Sequence, residues 1–290
     1  MTAFAIGKFD ALHRGHFALA ERASAFGEPR LLTFSDMARE LGWPERRPLV
    51  ANDDRARVLA QWSQTLGAAV SEIELPFACI RGMSPADFIS HVRTTCGAQA
   101  LVVGEDFRFG RDRGGDADTL RALTTASGMQ VAVLPAVRHA GEVVSSSGVR
   151  AALAAGDVLL ASALLGRPHR LLGTVVRGDG RGRQLGIPTA NLGQRANQEP
   201  APGVYAAWAE LDGRRLPAAL NIGHLPTIGG ERPLTVEAHL IGWAGDCYGR
   251  PLALDVVARL RGEQRFASVA DLVARIRADI AAVPAVLTSA

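Results

Sequence analysis

Residues 7–16 read Gly7-Lys8-Phe9-Asp10-Ala11-Leu12-His13-Arg14-Gly15-His16. Two histidines flank one glycine, an apolar strand pattern over 4–6 ends just before them, and a helical pattern starts near His16. A helix N-terminus offers free N–H groups and the positive end of a dipole, which suit phosphate. Imidazoles placed there, with no side chain at Gly15 to block approach, can stabilise charge developing on a phosphorus centre. A pair of surface loop histidines is the plainer alternative, and the strand–loop–helix setting argues against it. The same physics recurs at Ser145-Ser146-Ser147-Gly148-Val149-Arg150, where hydroxyls and a guanidinium open a helix. Simple N-capping by serine competes with anion binding there. Between the two, Val103-Gly104-Glu105-Asp106-Phe107-Arg108-Phe109-Gly110 ends a strand in glycine. Phe107 and Phe109 could frame a planar ring or simply pack in the core.

A second group lies in the C-terminal half. Gly178, Gly180, Gly182 and Gly186 place four glycines in nine positions, enough for backbone N–H groups to converge on phosphate oxygens. Thr189 offers a hydroxyl and Asn191 an amide oxygen, both hard ligands for Mg²⁺ bridging nucleotide phosphates. A glycine-rich hairpin turn is the alternative. Over residues 235–240, alternation puts Val236, Ala238 and Leu240 on one side and Glu237 and His239 on the other. A carboxylate so placed can accept a proton from a substrate hydroxyl, although a solvent-facing pair satisfies the same pattern.

Composition narrows the chemistry. Of the 32 basic residues, 31 are arginine and Lys8 is the single lysine. A Walker A loop needs a lysine before Ser or Thr, and a protein kinase needs one on a strand after its glycine loop; neither is possible here. Phosphate chemistry must therefore use backbone N–H groups, arginine, histidine and metal. A net charge of +3 over 290 residues is a weak case for nucleic-acid binding. Cys79, Cys96 and Cys247 are widely spaced without a C-x-x-C, so neither a disulfide framework nor a zinc site is expected, and a reducing, cytoplasmic setting is. No run of 18 apolar residues is present, so no membrane span is expected.

The elements that must position these residues change character midway. Strand patterns at 4–6, 31–34, 71–75, 100–103 and 130–134 alternate with helical ones at 16–26, at 53–66 and from Pro85, capped by Ser84. That alternation predicts a doubly wound parallel α/β sheet. Two short helices over 147–156 and 157–166 stop at Gly156 and Gly166. Short strands follow at 171–177, 204–211, 216–222, 235–243 and 252–260, predicting a small antiparallel β-barrel. Ser268 caps a final helix with Leu272, Ile276, Ile280 and Val283 on one face. The expected domains are 1–166 and 167–290, and the polar loop 194–202 is expected to be mobile.

The H-x-G-H motif with the later serine-rich helix start resembles the nucleotidyltransferase superfamily. Residues 104–110 and Arg113 to Asp116 narrow it to the FAD synthetase domain of bacterial bifunctional riboflavin kinase/FAD synthetase, over roughly residues 4–160. The glycine loop running into Pro188-Thr189-Ala190-Asn191 resembles the riboflavin kinase signature. Gly203-Val204-Tyr205-Ala206, Asn221-Ile222-Gly223, Pro226-Thr227, Glu237-Ala238-His239, Tyr248-Gly249, Leu260-Arg261 and Arg265-Phe266 follow in family order over roughly residues 168–285. Departures concentrate in the first half: Lys8 and Ala11 replace asparagine and glycine, Asp36-Met37-Ala38 stands for Pro-His-Pro, and Ser147 and Gly148 replace threonine and arginine. In the second half, Ile241-Gly242-Trp243 stands for Leu-Asp-Phe.

The resemblance implies two reactions: phosphorylation of riboflavin to FMN by ATP, and adenylylation of FMN to FAD with release of pyrophosphate. It implies that His13 and His16 are catalytic in the first half, with Gly7, Lys8, Phe9, Asp10, Gly15, Ser146, Ser147 and Arg150 at ATP and Asp106, Phe107 and Phe109 at the flavin. In the second half it implies ATP on Gly178, Gly180, Arg181, Gly182 and Gly186, Mg²⁺–ATP on Thr189 and Asn191, and Glu237 as general base on the ribityl 5′-hydroxyl. Two alternatives stand beside it: a riboflavin kinase with a degenerate adenylyltransferase half, and a non-enzymatic flavin- or RNA-binding regulator. The sequence sets no oligomeric state. Lys8 is expected to donate to an ATP phosphate in place of the asparagine amide, because a compact ammonium fits where a guanidinium does not; chance survival competes with that reading.

Overall fold

A computed structural model describes residues 1–224 and 234–289. Its contacts divide the chain into two compact units, Met1–Arg46 with Asp53–Ser145, and Arg47–Asn52 with Ser146–Ala290.

The first unit is built on five parallel strands, β1 (Thr2–Ile6), β2 (Glu28–Ser35), β3 (Ser71–Pro76), β4 (Ala100–Gly104) and β5 (Gln130–Leu134), in the order β3-β2-β1-β4-β5. Helices α1 (Arg14–Ser24), α2 (Met37–Glu40), α3 (Asn52–Leu66), α4 (Phe77–Ile80), α5 (Pro85–Thr95) and α6 (Ala117–Ala126) connect them. Phe4 and Ile6 of β1 and Leu101 and Val103 of β4 share one core with Phe88, Ile89 and Val92 of α5 and Leu120 of α6. Alternation turns Ala3 and Ala5 to the other face, and α1 packs on β1, β2 and β4. Covering both faces is what lets the strands read as continuous apolar runs. The strand order reverses between β1 and β4, and a crevice opens outside the carboxyl ends of the strands at such a point. The histidine loop leaves β1 there, and the 104–110 loop leaves β4 beside it. A two-residue hairpin, β6 (Arg138–His139) with β7 (Glu142–Val143), completes the unit.

The second unit begins with α7 (Ser146–Ala155) and α8 (Val158–Leu165), whose C-cap Gly166 has φ 78. A closed barrel follows: β8 (His169–Val176), β9 (Ala190–Gly193), β10 (Gly203–Leu211), β11 (Arg214–His224), β12 (Leu234–Leu240) and β13 (Pro251–Arg261), ordered β10-β11-β12-β9-β8-β13. A four-residue helix, α9 (Arg181–Gln184), lies inside the glycine loop, and α10 (Val269–Ser289) covers the barrel at Ala206 and Val257 through Val283 and Leu287. Buried Asp279 on that face is held by Arg261 at 2.8 Å and Arg275 at 3.1 Å.

Three expectations change. Helix α1 starts at Arg14 rather than near His16, because His13 is its N-cap. Strand β12 ends at Leu240 instead of running to Trp243, where Gly242 turns the chain at φ 80. The 194–202 loop is pinned rather than loose. Asn197 is fully buried; its Nδ2 donates to the carbonyls of Leu49 and Arg170, and its Oδ1 accepts from the N–H of Leu172. Local polarity hid this, since the partners are distant in sequence. The Pro226-Thr227 motif lies outside the described residues.

Candidate active sites

In the first unit, His13 Nδ1 accepts from the His16 N–H at 3.2 Å and His16 Nδ1 accepts from the His13 N–H at 3.3 Å. This is a reciprocal capping box made of two imidazoles. Since both Nδ1 atoms accept, each ring hydrogen sits on Nε2. The rings stack 3.6 Å apart at 14°, each with its Nε2–H left over from the capping box. A Cβ at Gly15 would stand 3.1 Å from His13 Cε1 and press the ring out of register.

The loop ahead of the pair is strained and held from outside. Phe9 and Leu12 are buried at φ 48 and φ 45. The Phe9 ring meets His16 edge-on at 4.9 Å. Thr33 Oγ1 donates to the Lys8 carbonyl at 3.0 Å, and Arg55, ion-paired to Glu72, donates to the Phe9 carbonyl at 3.0 Å. Sequence reasoning missed Thr33 and Arg55, which stand 25 and 46 residues from their partners with no motif to mark them. The Lys8 ammonium lies 4.1 Å from the centre of the Trp43 ring. Burial lowers its pKa, nearby Arg113 lowers it further, and Asp10 opposes both.

On the neighbouring loop the two aromatics divide their work. Phe109 is a core residue beside Phe88, with ring centres 5.6 Å apart. Half-buried Phe107 stacks on it at 5.5 Å and 11°, and Asp106 is exposed. Ser146, Ser147 and Arg150 open α7, which belongs to the second unit. There the Arg150 guanidinium donates to the Arg47 carbonyl at 2.9 Å and to the Gln198 side chain.

In the second unit, register builds the site. Glu237 of β12 pairs with Asn191 of β9 on one side and with Asn221 of β11 on the other. Directly paired residues share a face, so all three side chains stand on the barrel's outer surface while Val236 and Ala238 are buried. The glycine loop lies close against the same strands. A Cβ at Gly178 would stand 2.5 Å from Asn191 Nδ2, and one at Gly182 would stand 2.4 Å from the Ile187 carbonyl and 3.2 Å from Thr189 Oγ1. Gly180, at φ 72, turns the chain into α9, and Arg181 pairs with Asp179 at 3.1 Å. Burial raises the Glu237 pKa, Asp179 raises it further, and Arg181 pulls it back. His239, two residues on, donates from Nδ1 to the Pro188 carbonyl at 2.8 Å and so fixes the segment carrying Thr189. The alternation that exposed Glu237 also contained this signal. Asp179 was overlooked between two glycines.

Thr189 and Asn191 thus offer two neutral oxygens toward the loop. Among the described residues no group of three or more His, Cys, Asp or Glu could hold a metal ion. This donor set fits an Mg²⁺ that draws its remaining ligands from a nucleotide and water rather than from a protein cage.

Comparison with known proteins agrees with both halves. A family model described as FAD synthetase matches residues 1–148, and one described as riboflavin kinase matches 165–287. The bifunctional riboflavin kinase/FMN adenylyltransferase of Pseudomonas fluorescens is 41% identical over 287 residues, covering 96% of this chain and 90% of that protein. The Escherichia coli K12 protein of the same description is 36% identical, covering 94% and 89%. A Streptococcus pneumoniae crystal structure described as a macrolide-efflux protein aligns at TM-score 0.86 and 26% identity, over 98% of this chain and 93% of that one. Among the described residues, no helix is long and apolar enough to cross a membrane.

The matches define a two-domain transferase with an FAD synthetase half followed by a kinase half. The chain belongs to the bifunctional riboflavin kinase/FMN adenylyltransferase family. It carries both activities.

Proposed function

We propose that riboflavin is phosphorylated on the outer face of the barrel at Glu237 and that FMN is adenylylated at the histidine pair. Glu237 takes the proton of the ribityl 5′-hydroxyl as that oxygen bonds to the γ-phosphorus of ATP; the bond to the bridging oxygen breaks and ADP leaves. A carboxylate whose pKa is raised by burial and by Asp179 is a stronger base than an exposed glutamate. The N–H groups around Gly178, Gly180, Gly182 and Gly186, with Arg181, carry phosphate charge in place of a Walker lysine. Thr189 and Asn191 would hold Mg²⁺, which when bound neutralises charge on the phosphates.

In the other half, an FMN phosphate oxygen attacks the α-phosphorus of ATP and pyrophosphate leaves, with no covalent enzyme intermediate. The stacked Nε2–H donors of His13 and His16 face the charge that grows in that step. Gly7, Phe9, Asp10 and Gly15 shape the phosphate loop around them. Asp106 and Phe107, backed by Phe109, take the flavin ring. A role at ATP for Ser146, Ser147 and Arg150 rests on the family motif.

We place the division of activities at 166/167, which leaves α7 and α8 with the adenylyltransferase sequence although their contacts group them with the barrel. The substrates are riboflavin, FMN and ATP. The wide spacing of Cys79, Cys96 and Cys247, without a C-x-x-C, is the basis for a reducing, cytoplasmic setting. The observation that carries the kinase reading is the pairing of Glu237 with Asn191 beside the glycine loop. Incubation with riboflavin and Mg-ATP, followed by chromatography, should show FMN and then FAD. FMN alone would sink the second activity, and flavin binding without release of ADP or pyrophosphate would sink both.

A further inference from the structure

We propose that Lys8 and Arg113 form a cationic clamp on the polyphosphate bound in the first unit, and that the Lys8 ammonium exchanges between the Trp43 ring face and a phosphate oxygen. The inference rests on reading the β1–α1 loop as a nucleotide site.

Lys8 is the single lysine in a chain that uses arginine at 31 other positions, and it follows β1 at the carboxyl edge of the sheet, beside the point where strand order reverses. Its ammonium rests on an aromatic face, 4.1 Å from the Trp43 ring centre. A ring face holds a cation less firmly than a charge-assisted bond to phosphate, which is strong enough to draw it off. Arg113 is close enough to disfavour the charge on Lys8 while Asp10 favours it, and a bound polyphosphate would supply further negative charge to hold both cations. The turn that carries Arg113 supports a built arrangement. Asp112 and Arg113 both take left-handed conformations, at φ 57 and φ 60, a strain that the surrounding fold must hold in place. Arg111 anchors that turn by donating its N–H to the Met83 carbonyl at 2.6 Å. Lysine serves here because its point charge can swing between a ring face and an oxygen, whereas a guanidinium on tryptophan stacks broadly and resists release.

The chain's single lysine makes the test direct. Reductive methylation with ¹³C-formaldehyde keeps the charge and labels only Lys8 and the N-terminus. In the whole protein, the Trp43 ring current should shift the Lys8 methyl signal upfield, and Trp43→Leu should return it to the ordinary position. Saturating Mg-pyrophosphate should also move the wild-type signal off the ring position. Lys8→Met should raise the KM for ATP in FAD synthesis about tenfold, and Lys8→Arg should fail to restore it. A Lys8 signal unmoved by pyrophosphate in protein that still makes FAD overturns the clamp and leaves the proposed function standing. Wild-type FAD synthesis in Lys8→Arg removes the case for a compact ammonium. Protein that binds no pyrophosphate and makes no FAD defeats both the clamp and the nucleotide site beneath it.

Discussion

Glu237 of β12 lies directly across the antiparallel ladder from Asn191 of β9, on the outer face of the barrel. One residue is the base and the other a metal-side ligand in the proposed kinase reaction, and a single backbone register sets their separation. A one-residue slip of β9 would turn Asn191 into the core and bring Ala190 out.

That geometry makes the pH dependence of FMN formation specific. Glu237 must be ionised to accept a proton, so activity should fall as pH drops through its raised pKa. Asp179→Asn removes one of the causes that raise it, and the acid limb of the pH–rate profile should move to lower pH. Removing the opposing charge with Arg181→Gln should move it to higher pH. Glu237→Gln should lower kcat for FMN formation by about 10²–10⁴-fold, while FMN-to-FAD conversion survives. Acid limbs that ignore both loop substitutions would argue against Glu237 as the titrating base.

The close approach of the glycine loop predicts a second result. In Gly178→Ala the new methyl would fall 2.5 Å from the Asn191 amide, so loop or amide must move. The KM for Mg-ATP in the kinase reaction should rise about tenfold or more, as expected when a positioning contact is displaced. Steady-state kinetics on both half-reactions checks this, since FAD synthesis from FMN should hold its wild-type rate.

The imidazole capping box separates catalysis from folding. His16→Gln keeps an acceptor able to reach back to the residue 13 N–H, as glutamine does in ordinary capping boxes. Its thermal midpoint should stay within a few degrees of wild type while FAD synthesis falls by about 10²-fold and FMN formation continues. Unchanged FAD synthesis would refute the role given to His16.

His169 predicts an acid weakness of the second unit. Buried and donating from Nε2 to the Gln198 carbonyl at 2.7 Å, it has its pKa lowered from 6.5 to about 4, first by loss of solvent. The folded state therefore resists a proton that the unfolded chain accepts. Stability should be full above about pH 6.5, fall as pH drops from there toward about 4, and change no further from this group below that. The loss amounts to roughly 3 kcal/mol. Urea unfolding at several pH values should show the slope in wild type and a flatter one in His169→Phe, whatever that variant loses at neutral pH.

Much of the fold was legible because it rests on local signals. The alternation of apolar strands with helices led to the parallel sheet, Ser84 and Ser268 marked helix starts that the structure keeps, and Gly166 stopped α8 where expected. The short strand β9 escaped notice. It holds four residues inside a motif, too few for a period to show, and it exists because β8 and β12 pair with it. The buried Asn197 in a polar loop and the Arg55 bond to the Phe9 carbonyl were equally out of reach, since each depends on chain brought together from far away.

The sequence by itself determined the chemistry available: two histidines about a glycine, a glycine loop before Thr189 and Asn191, a carboxylate on an alternating strand, and one lysine among arginines. Those are properties of residue type and short spacing, which survive without a fold. Only the tertiary structure decided which groups meet. It put Glu237 opposite Asn191, placed Asp179 and Arg181 close enough to tune that carboxylate, locked both histidine Nδ1 atoms into a reciprocal cap, sent Phe109 into the core behind Phe107, and laid Lys8 on Trp43. The reason is physical. Register, burial and reach across long separations are set by closing the sheet and barrel, and no local pattern encodes them.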